Sequence, residues 1–191
     1  MGKPMSNTLS PRSLRDAFGA FATGVTVVTA LKPDGQPVGI TANSFTSVSL
    51  DPPLILWCIA STSASIAAFS VGASFAVTIL GEHAKEIALH FASRTADKFP
   101  DDPNPGPHGQ APMIPGTHLC RMDCQVESVH RAGDHLIIVG LVQALDRHGG
   151  RPLAFHDGRF GRLIADATSA PIDVWNPHGV QMPSFFNVPF D

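Results

Sequence analysis

The chain has 191 residues, of which 43% are hydrophobic and 15% charged, and its formal net charge is −3. This composition predicts one globular domain with a real core, spanning residues 1–191, rather than a disordered chain. A slightly acidic chain without a run of lysine or arginine has no electrostatic surface for nucleic acid. No apolar stretch is long enough to span a membrane. We therefore expect neither nucleic acid nor a membrane as a partner.

The cysteines and the first residues predict a reducing compartment. Cys58, Cys120 and Cys124 form no CxxC pair and lie in apolar or alternating segments, which is typical of buried free thiols. The opening stretch, MGKPMSNTLSPRSLRDAF, has no apolar region of the kind found in signal peptides. An odd number of cysteines without an export signal indicates a cytoplasmic protein.

The first half of the chain reads as a helix, a hairpin and two further strands. Ser10 can cap a helix that runs to Ala22, with Leu14, Phe18 and Phe21 at helical spacing. The segments flanking KPDGQ predict a hairpin, because Pro-Asp-Gly favours a turn. An apolar run at 54–60 predicts a strand that is buried on both faces, and a polar turn and short helix follow it. The next expected elements are a strand at 74–80 and a helix over GEHAKEIALHFAS.

The second half is dominated by alternation. Cys120, Met122, Cys124 and Val126 alternate with charged or polar neighbours, so Arg121 and Asp123 are expected to face solvent. A return strand at 136–146 and a short strand near Leu153 and Phe155 follow. The proline-rich stretch 100–116 is expected to be irregular but too short to divide two domains. Residues 164–191 form a predicted tail, whose aromatic residues are expected to pack on the barrel or on a partner subunit: Trp175, Phe185, Phe186 and Phe190.

These elements predict a mainly β fold. Six or seven strands, with two or three helices, are joined mostly by hairpins and show no βαβ rhythm. Such a sheet removes its unpaired edges most simply by closing into a barrel.

Familiar catalytic motifs do not occur. The sequence contains no GxGxxG, no Walker A loop, no GxSxG and no HExxH. His83 and His90 would share one face of the predicted helix, but two ligands without a neighbouring carboxylate or cysteine make a poor metal site. We expect no metal.

Four polar clusters at the ends of predicted elements are the remaining candidates. The hydroxyls and amide at 41–49 could satisfy a buried turn or hold a ligand. The serines and threonine at 61–65 could cap the short helix or cradle a phosphate. Arg94 and Lys98 could bind an anion or be ordinary solvated charges. His135 follows a hairpin turn, where it could contact a ligand or be a surface histidine without a function. Together the turn clusters suit a ligand with a polar chain, a phosphate and a flat apolar body.

Several segments resemble the short-chain flavin reductase family when taken in order. They are FATGVTVVTA, GITANSFTSVSLDPPLIL, SFAVTIL, FASRTADKF, GDHLIIVG and PLAFHDGRF. The resemblance covers residues 14–163, so the family core is expected at about 12–163. It implies an FMN-binding split β-barrel of the Greek-key type with a few short peripheral helices, usually a homodimer with flavin near the subunit interface.

The resemblance also implies an activity. Members are NAD(P)H:flavin oxidoreductases, which reduce FMN or FAD with NADH or NADPH and supply reduced flavin to a partner monooxygenase. Two alternatives stay open: an FMN-binding electron carrier, and a non-catalytic interaction domain on the same barrel.

The family's site residues carry over by position. The isoalloxazine and ribityl chain would lie along Thr41, Ala42, Asn43 and Ser44, with Ser47 as a nearby polar position. His135 would orient the nicotinamide. The phosphate side would be formed by Ser61, Thr62, Ser63, Ser65, Phe91 and Arg94, with Arg94 or Lys98 as the anion partner.

Overall fold

The computed structural model describes residues 9–95, 98–99, 106, 111–114, 116 and 118–164. Two α-helices, one 3₁₀ turn at Ile66–Phe69 and ten strands occur in these ranges. The helices are α1 (Pro11–Gly19) and α2 (Lys85–Ala92). The strands are β1 (Thr23–Gly24), β2 (Thr26–Leu31), β3 (Pro37–Ala42), β4 (Thr46–Leu50), β5 (Pro53–Ala60), β6 (Ser74–Leu80), β7 (His118–Ala132), β8 (His135–Arg147), β9 (Leu153–His156) and β10 (Arg159–Arg162). The predicted mainly β fold is confirmed.

Seven strands form one antiparallel sheet in the order β3-β2-β6-β7-β8-β5-β4, and β1, β9 and β10 form a small second sheet. Strands β3 and β4 lie at opposite edges of the larger sheet, yet only residues 43–45 join them. A flat seven-stranded sheet would separate its edges by about 29 Å, whereas this connection spans at most about 14 Å. The sheet must therefore curl until its edges approach, which is the geometry expected of a split barrel.

The strand pattern was predicted well where apolar residues are dense. Strand β6 occupies the predicted range, and β2 and β3 form the predicted hairpin. The predicted count of six or seven strands was wrong, because β1, β4 and β10 are short strands of two to five residues. Strand β4 was interpreted as a polar turn, since its sequence TSVSL holds only two apolar residues.

Strand β5 differs from its predicted environment. Ile55, Trp57 and Ile59 are buried, but the residues between them are only half-buried. Its neighbours β4 and β8 are antiparallel strands of a curled sheet, so one face of β5 lines the core and the other lies outside. The prediction that both faces are buried was wrong.

Arg121 and Asp123 on β7 are buried rather than solvent-facing, with 3% and 5% of their surfaces exposed. Arg121 Nη2 lies 2.7 Å from Asp123 Oδ1. Arg121 also donates to the carbonyls of Ala111 (2.9 Å) and Pro112 (3.3 Å). The alternation along β7 is real, but Ala111 and Pro112, which precede this strand in the chain, cover its polar face.

The helices begin close to the predicted residues. Ser10 caps α1, accepting from Ser13 N at 3.1 Å. The helix ends at Gly19, before the predicted Ala22, and none of its residues is buried. Helix α2 packs Ala88 and Phe91 inward as predicted, but it begins at Lys85, so His83 lies outside it.

Two clusters of buried apolar residues form the core of the protein. The barrel core contains Trp57, Phe69 and Phe75. The ring of Phe69 meets the rings of Trp57 and Phe75 edge-on. The second cluster lies between the barrel wall and α2 and includes Val27, Leu80 and Phe91. It seats α2 against β3, where the predicted site begins.

The predictions for the tail and most of the proline-rich stretch lie outside the described residues. These include the aromatic residues Trp175, Phe185, Phe186 and Phe190. Within the described ranges, no helix has the length and apolar character required to traverse a bilayer.

Candidate active site

Two of the predicted polar clusters meet because β5 and β8 are paired. The register places Ala60, the last residue of β5, opposite His135, the first residue of β8. One step further, Ser61 N donates to the Asp134 carbonyl at 2.8 Å. The turn at 61–65 and the turn at 133–135 therefore lie side by side.

Ser44 brings a third cluster to the same place. Its hydroxyl accepts from Cys58 N at 2.9 Å and lies 3.3 Å from the Cys58 carbonyl oxygen. This double contact fastens the connection between β3 and β4 to the middle of β5. The end of β3, the end of β5 and the start of β8 thus converge.

A cleft of about 310 Å³ lies at this convergence and is called the Asn43 cleft here. Its volume is at the lower end of the range for ligand pockets. Six of the residues predicted for the site line it: Thr41, Ala42, Asn43, Ser44, Ser63 and His135. Four other lining residues were not predicted, because apolar residues within strands look like core residues in a sequence. They are Ile40, Cys58, Ile59 and Ala60.

The lining suits a flat ligand with polar edges. Ile40 and Ala60 offer apolar surface, whereas Asn43 and Ser63 offer hydrogen bonds. The described residues that line the cleft include no carboxylate.

The structure supports the buried-turn interpretation for part of the 41–49 cluster, and ligand binding by this cluster stays a prediction. Thr41 Oγ1 donates to the Ala88 carbonyl at 2.6 Å, and Ser44 bonds the Cys58 backbone. These two hydroxyls therefore form hydrogen bonds with main-chain groups of the fold. Asn43 is exposed at the cleft and is the group best placed to bond a ligand.

His135 stands at the cleft with a defined neighbour. Its Nδ1 lies 2.8 Å from Asp134 Oδ1, and a proton shared in that contact makes Nε2 the acceptor of the neutral ring. The hydrogen bond and charge of His135 lower the pKa of Asp134, so this carboxylate is ionised at neutral pH. The turn depends on Gly133, whose φ of 61° favours glycine.

Several predicted phosphate-side residues lie beside the cleft rather than in its lining. Ser61, Thr62 and Ser65 belong to the same turn as Ser63, and Ser63 Oγ accepts from Ser65 N at 3.3 Å. This contact is a local turn bond, and Ser65, at the N-cap of the 3₁₀ turn, makes no side-chain capping bond. Ser47 is exposed on β4, opposite Ile55.

The remaining predicted residues lie on the α2 side of β3. Phe91 is 1% exposed and packs against Phe99 in the second apolar cluster. Lys98 Nζ donates to the carbonyls of Phe91 (2.7 Å) and Gly39 (3.0 Å), and burial lowers its pKa. Arg94 is exposed. Between the two candidate anion partners, Arg94 has its guanidinium toward solvent, whereas Lys98 is engaged by main-chain carbonyls.

A larger cleft of about 480 Å³ lies between the hairpin turn after β2 and the segment 67–74. Its one charged side chain, Lys32, already bonds Gln36 Oε1 at 2.7 Å. Because none of the predicted clusters reaches it, the smaller Asn43 cleft is the better candidate.

Comparison with known proteins places the chain in a family. The model of the flavin reductase like domain matches residues 18–163. A probable flavin reductase of Rhizobium meliloti is 42% identical over 171 residues, covering 88% of this chain but 54% of its own length. The chain thus spans about half the length of that relative.

Other relatives match over most of their length. An FMN reductase (NADH) of Agrobacterium fabrum is 48% identical, covering 80% of this chain and 86% of its own. The reductase subunit of a flavin-dependent monooxygenase of Rhodococcus jostii is 38% identical, covering 87% and 85%. An NADH:FAD oxidoreductase of Streptomyces globisporus, solved with NAD and FAD fragments, superposes with a TM-score of 0.75 at 37% identity, covering 85% and 99%.

The chain belongs to the flavin reductase like domain family. The family resemblance predicted from the sequence is confirmed by these matches. The individual site residues stay predictions, as do the domain bounds.

Proposed function

We propose that this chain is an NADH:flavin oxidoreductase that binds flavin in the Asn43 cleft and passes reduced flavin to a partner monooxygenase. The observation that carries the proposal is the convergence of three polar turns on one cleft without a carboxylate in its lining. The relatives that name a nucleotide support NADH as the donor. Both FMN and FAD appear among those names, so either flavin is a candidate.

The residues present fit such a ligand. When bound, flavin supplies an N5 atom that accepts hydride from C4 of a nicotinamide. Ile40 and Ala60 give the apolar contact that excludes water, and Asn43 bonds a polar edge. The chain's part is to hold two rings in register, which lowers the entropic cost of their meeting.

His135 is the proposed nicotinamide-orienting residue. Its contact with Asp134 fixes the ring, and its position at the cleft leaves the other nitrogen for a carboxamide. An orienting role does not require His135 to give up or take a proton during the reaction.

The test is anaerobic stopped-flow absorbance in the flavin band, mixing protein and FMN with NADH or with NADPH. Fast protein-dependent bleaching by NADH establishes the reductase. Tight flavin binding without bleaching by either nucleotide would favour the electron carrier, and no binding would favour the interaction domain.

His135→Ala is expected to slow hydride transfer by about 10-fold or more, as loss of ring alignment does, while flavin affinity changes less. His156→Ala is the matched control, because His156 is an exposed histidine on β9 that does not line the cleft. An unchanged reductive half-reaction in His135→Ala would remove the orienting role.

The turn at 61–65 is proposed to face the flavin phosphate. Ser61→Ala and Ser65→Ala are expected to weaken FMN more than riboflavin, which lacks the phosphate. Ser70→Ala, an exposed serine after the 3₁₀ turn, is the control. Equal losses of FMN and riboflavin affinity would contradict the assignment.

The proposed assembly is a homodimer. Helix α1 buries none of its residues, and its Phe18 and the following Phe21 are 72% and 78% exposed. Exposed aromatic residues on an amphipathic helix are typical of a surface that another subunit covers.

A further inference from the structure

Three potential metal ligands meet at the end of the barrel where β7 begins and β8 ends. They are His118, Asp146 and His148. The antiparallel register places Arg121 opposite Asp146 and Cys120 opposite Arg147. The ladder continues one step beyond the paired residues, since His148 N donates to the Leu119 carbonyl at 2.7 Å. Residues about thirty positions apart in sequence are thereby brought together.

The ligand atoms are close enough for one ion. One atom from each of the three side chains lies within 4.8 Å of the others. Asp146 Oδ2 and His148 Nε2 are 3.1 Å apart, near the separation of about 3.3 Å that tetrahedral bonds of 2.0–2.1 Å require. The rings of His118 and His148 meet edge-on with centroids 5.1 Å apart. A small rotation of side chains would complete the set.

His118 carries an unsatisfied acceptor at this point. Its Nε2 is buried and has no hydrogen-bond partner, a state that costs free energy unless a ligand relieves it. A buried imidazole nitrogen without a partner, beside a second imidazole and a carboxylate, is a place that a metal ion could occupy.

The cluster is accessible from solvent. Asp146 and His148 are about half exposed, with 49% and 53% of their side chains accessible. An ion could therefore enter from solvent.

We propose that His118, Asp146 and His148 bind a divalent transition-metal ion, with Zn²⁺ as the best match. Two imidazoles and one carboxylate suit zinc and disfavour calcium and magnesium, which prefer oxygen ligands alone. Three protein ligands leave the fourth position to water.

This site is separate from the proposed flavin site. His118 and His135 lie at opposite ends of the β7–β8 ladder, along roughly 45 Å of strand. The ion would tie the first residues of β7 to the turn after β8. Its expected effect is stabilisation of the fold, and it does not depend on flavin chemistry.

The test is isothermal titration of the full-length, tag-free chain with ZnCl₂ after chelator treatment, together with thermal unfolding. The wild-type chain is expected to bind one Zn²⁺ per chain and to unfold at a higher temperature when loaded. Co²⁺ added instead is expected to show visible d–d absorption typical of a tetrahedral site.

His148→Gln and Asp146→Asn are expected to weaken Zn²⁺ binding at least 10-fold, since losing even an outer-shell partner costs about 10- to 100-fold. Both side chains are half exposed, so these variants should fold, which circular dichroism checks. His130→Gln is the matched control, because His130 is an exposed histidine of β7 far from the cluster. No Zn²⁺ binding by the wild-type chain, or equal binding by all three variants, would overturn the proposal. Flavin binding measured on the same samples separates this outcome from any failure of the reductase proposal.

Discussion

The hydroxyl of Ser44 holds two strands of the barrel together and also forms part of the Asn43 cleft. It bonds both main-chain groups of Cys58, so the connection between β3 and β4 is fixed on β5. A single side chain thereby couples the closure of the barrel to the shape of the cleft. Asn43, its neighbour, has the opposite role, because it is exposed and available to a ligand.

Ser44→Ala is expected to lower the free energy of unfolding by about 1–3 kcal/mol, the cost of leaving a partly buried main-chain group unpaired. Flavin affinity should fall with it, because the cleft wall loses its attachment. The measurement is urea unfolding with parallel flavin titration. Ser70→Ala, at an exposed serine that does not line the Asn43 cleft, is the control, and its effect should stay within about 0.5 kcal/mol. Equal effects of the two substitutions would contradict the role given to Ser44.

At the scale of elements, the pair on β7 explains how a segment without regular structure is held on the barrel. Arg121 binds Asp123 and the carbonyls of Ala111 and Pro112, and Thr29 on β2 donates to the same Pro112 carbonyl at 2.7 Å. These polar contacts act together with the burial of Ala111 and Ile114, which are 2% and 6% exposed. Arg121 and Asp123 on the polar face of β7 therefore hold residues 111–112 against the barrel instead of facing solvent.

Asp123→Ala is expected to lower the free energy of unfolding by about 3–5 kcal/mol, because it leaves the buried Arg121 guanidinium without its carboxylate. Asp123→Asn keeps an oxygen acceptor and should cost less. Glu127→Ala, an exposed acid on the same strand, is the control. Chemical denaturation midpoints make the comparison, and a loss in Asp123→Ala no larger than in Glu127→Ala would show that the pair does not anchor the segment.

For the whole molecule, the apolar surface of α1 raises the question of assembly. The helix is well capped yet contributes no buried residue to its own chain. Leu9, just before it, is 72% exposed as well. A second copy of the chain would bury these residues in the proposed dimer.

The double variant Phe18→Asp, Phe21→Asp is expected to shift the mass measured by light scattering from two chains to one, because buried carboxylates in an apolar interface are strongly unfavourable. Arg15→Glu changes charge on the same helix without removing apolar surface and should leave the mass unchanged. A dimer that survives the double variant would show that α1 is not part of the interface.

The fold was largely predictable because apolar periodicity is local. Strand β6 and the β2–β3 hairpin follow directly from β-branched runs and a Pro-Asp-Gly turn. Strand β4 was missed since five residues with two apolar side chains carry too little signal. The burial of Arg121 could not be foreseen, because it depends on residues 111–112, which are brought to β7 only by the tertiary fold.

The meeting of the polar clusters was only partly predictable from the sequence. Polar residues at strand ends identified turns that the structure brings together, and Asn43, Ser63 and His135 line one cleft. Which turns face one another is set by the pairing of Ala60 with His135, a register that no local pattern encodes. Apolar lining residues such as Ile40 and Ile59 were indistinguishable from core residues for the same reason.

The pairing of β5 with β8 also has a consequence for synthesis on the ribosome. Ala60 pairs with His135, so the cleft cannot exist until about 75 residues after β5 have been translated. During that interval the half-buried apolar residues of β5 stay without their partner strand, and exposed strand edges favour aggregation. On the proposed function, a nascent chain acquires flavin only after His135 has left the exit tunnel.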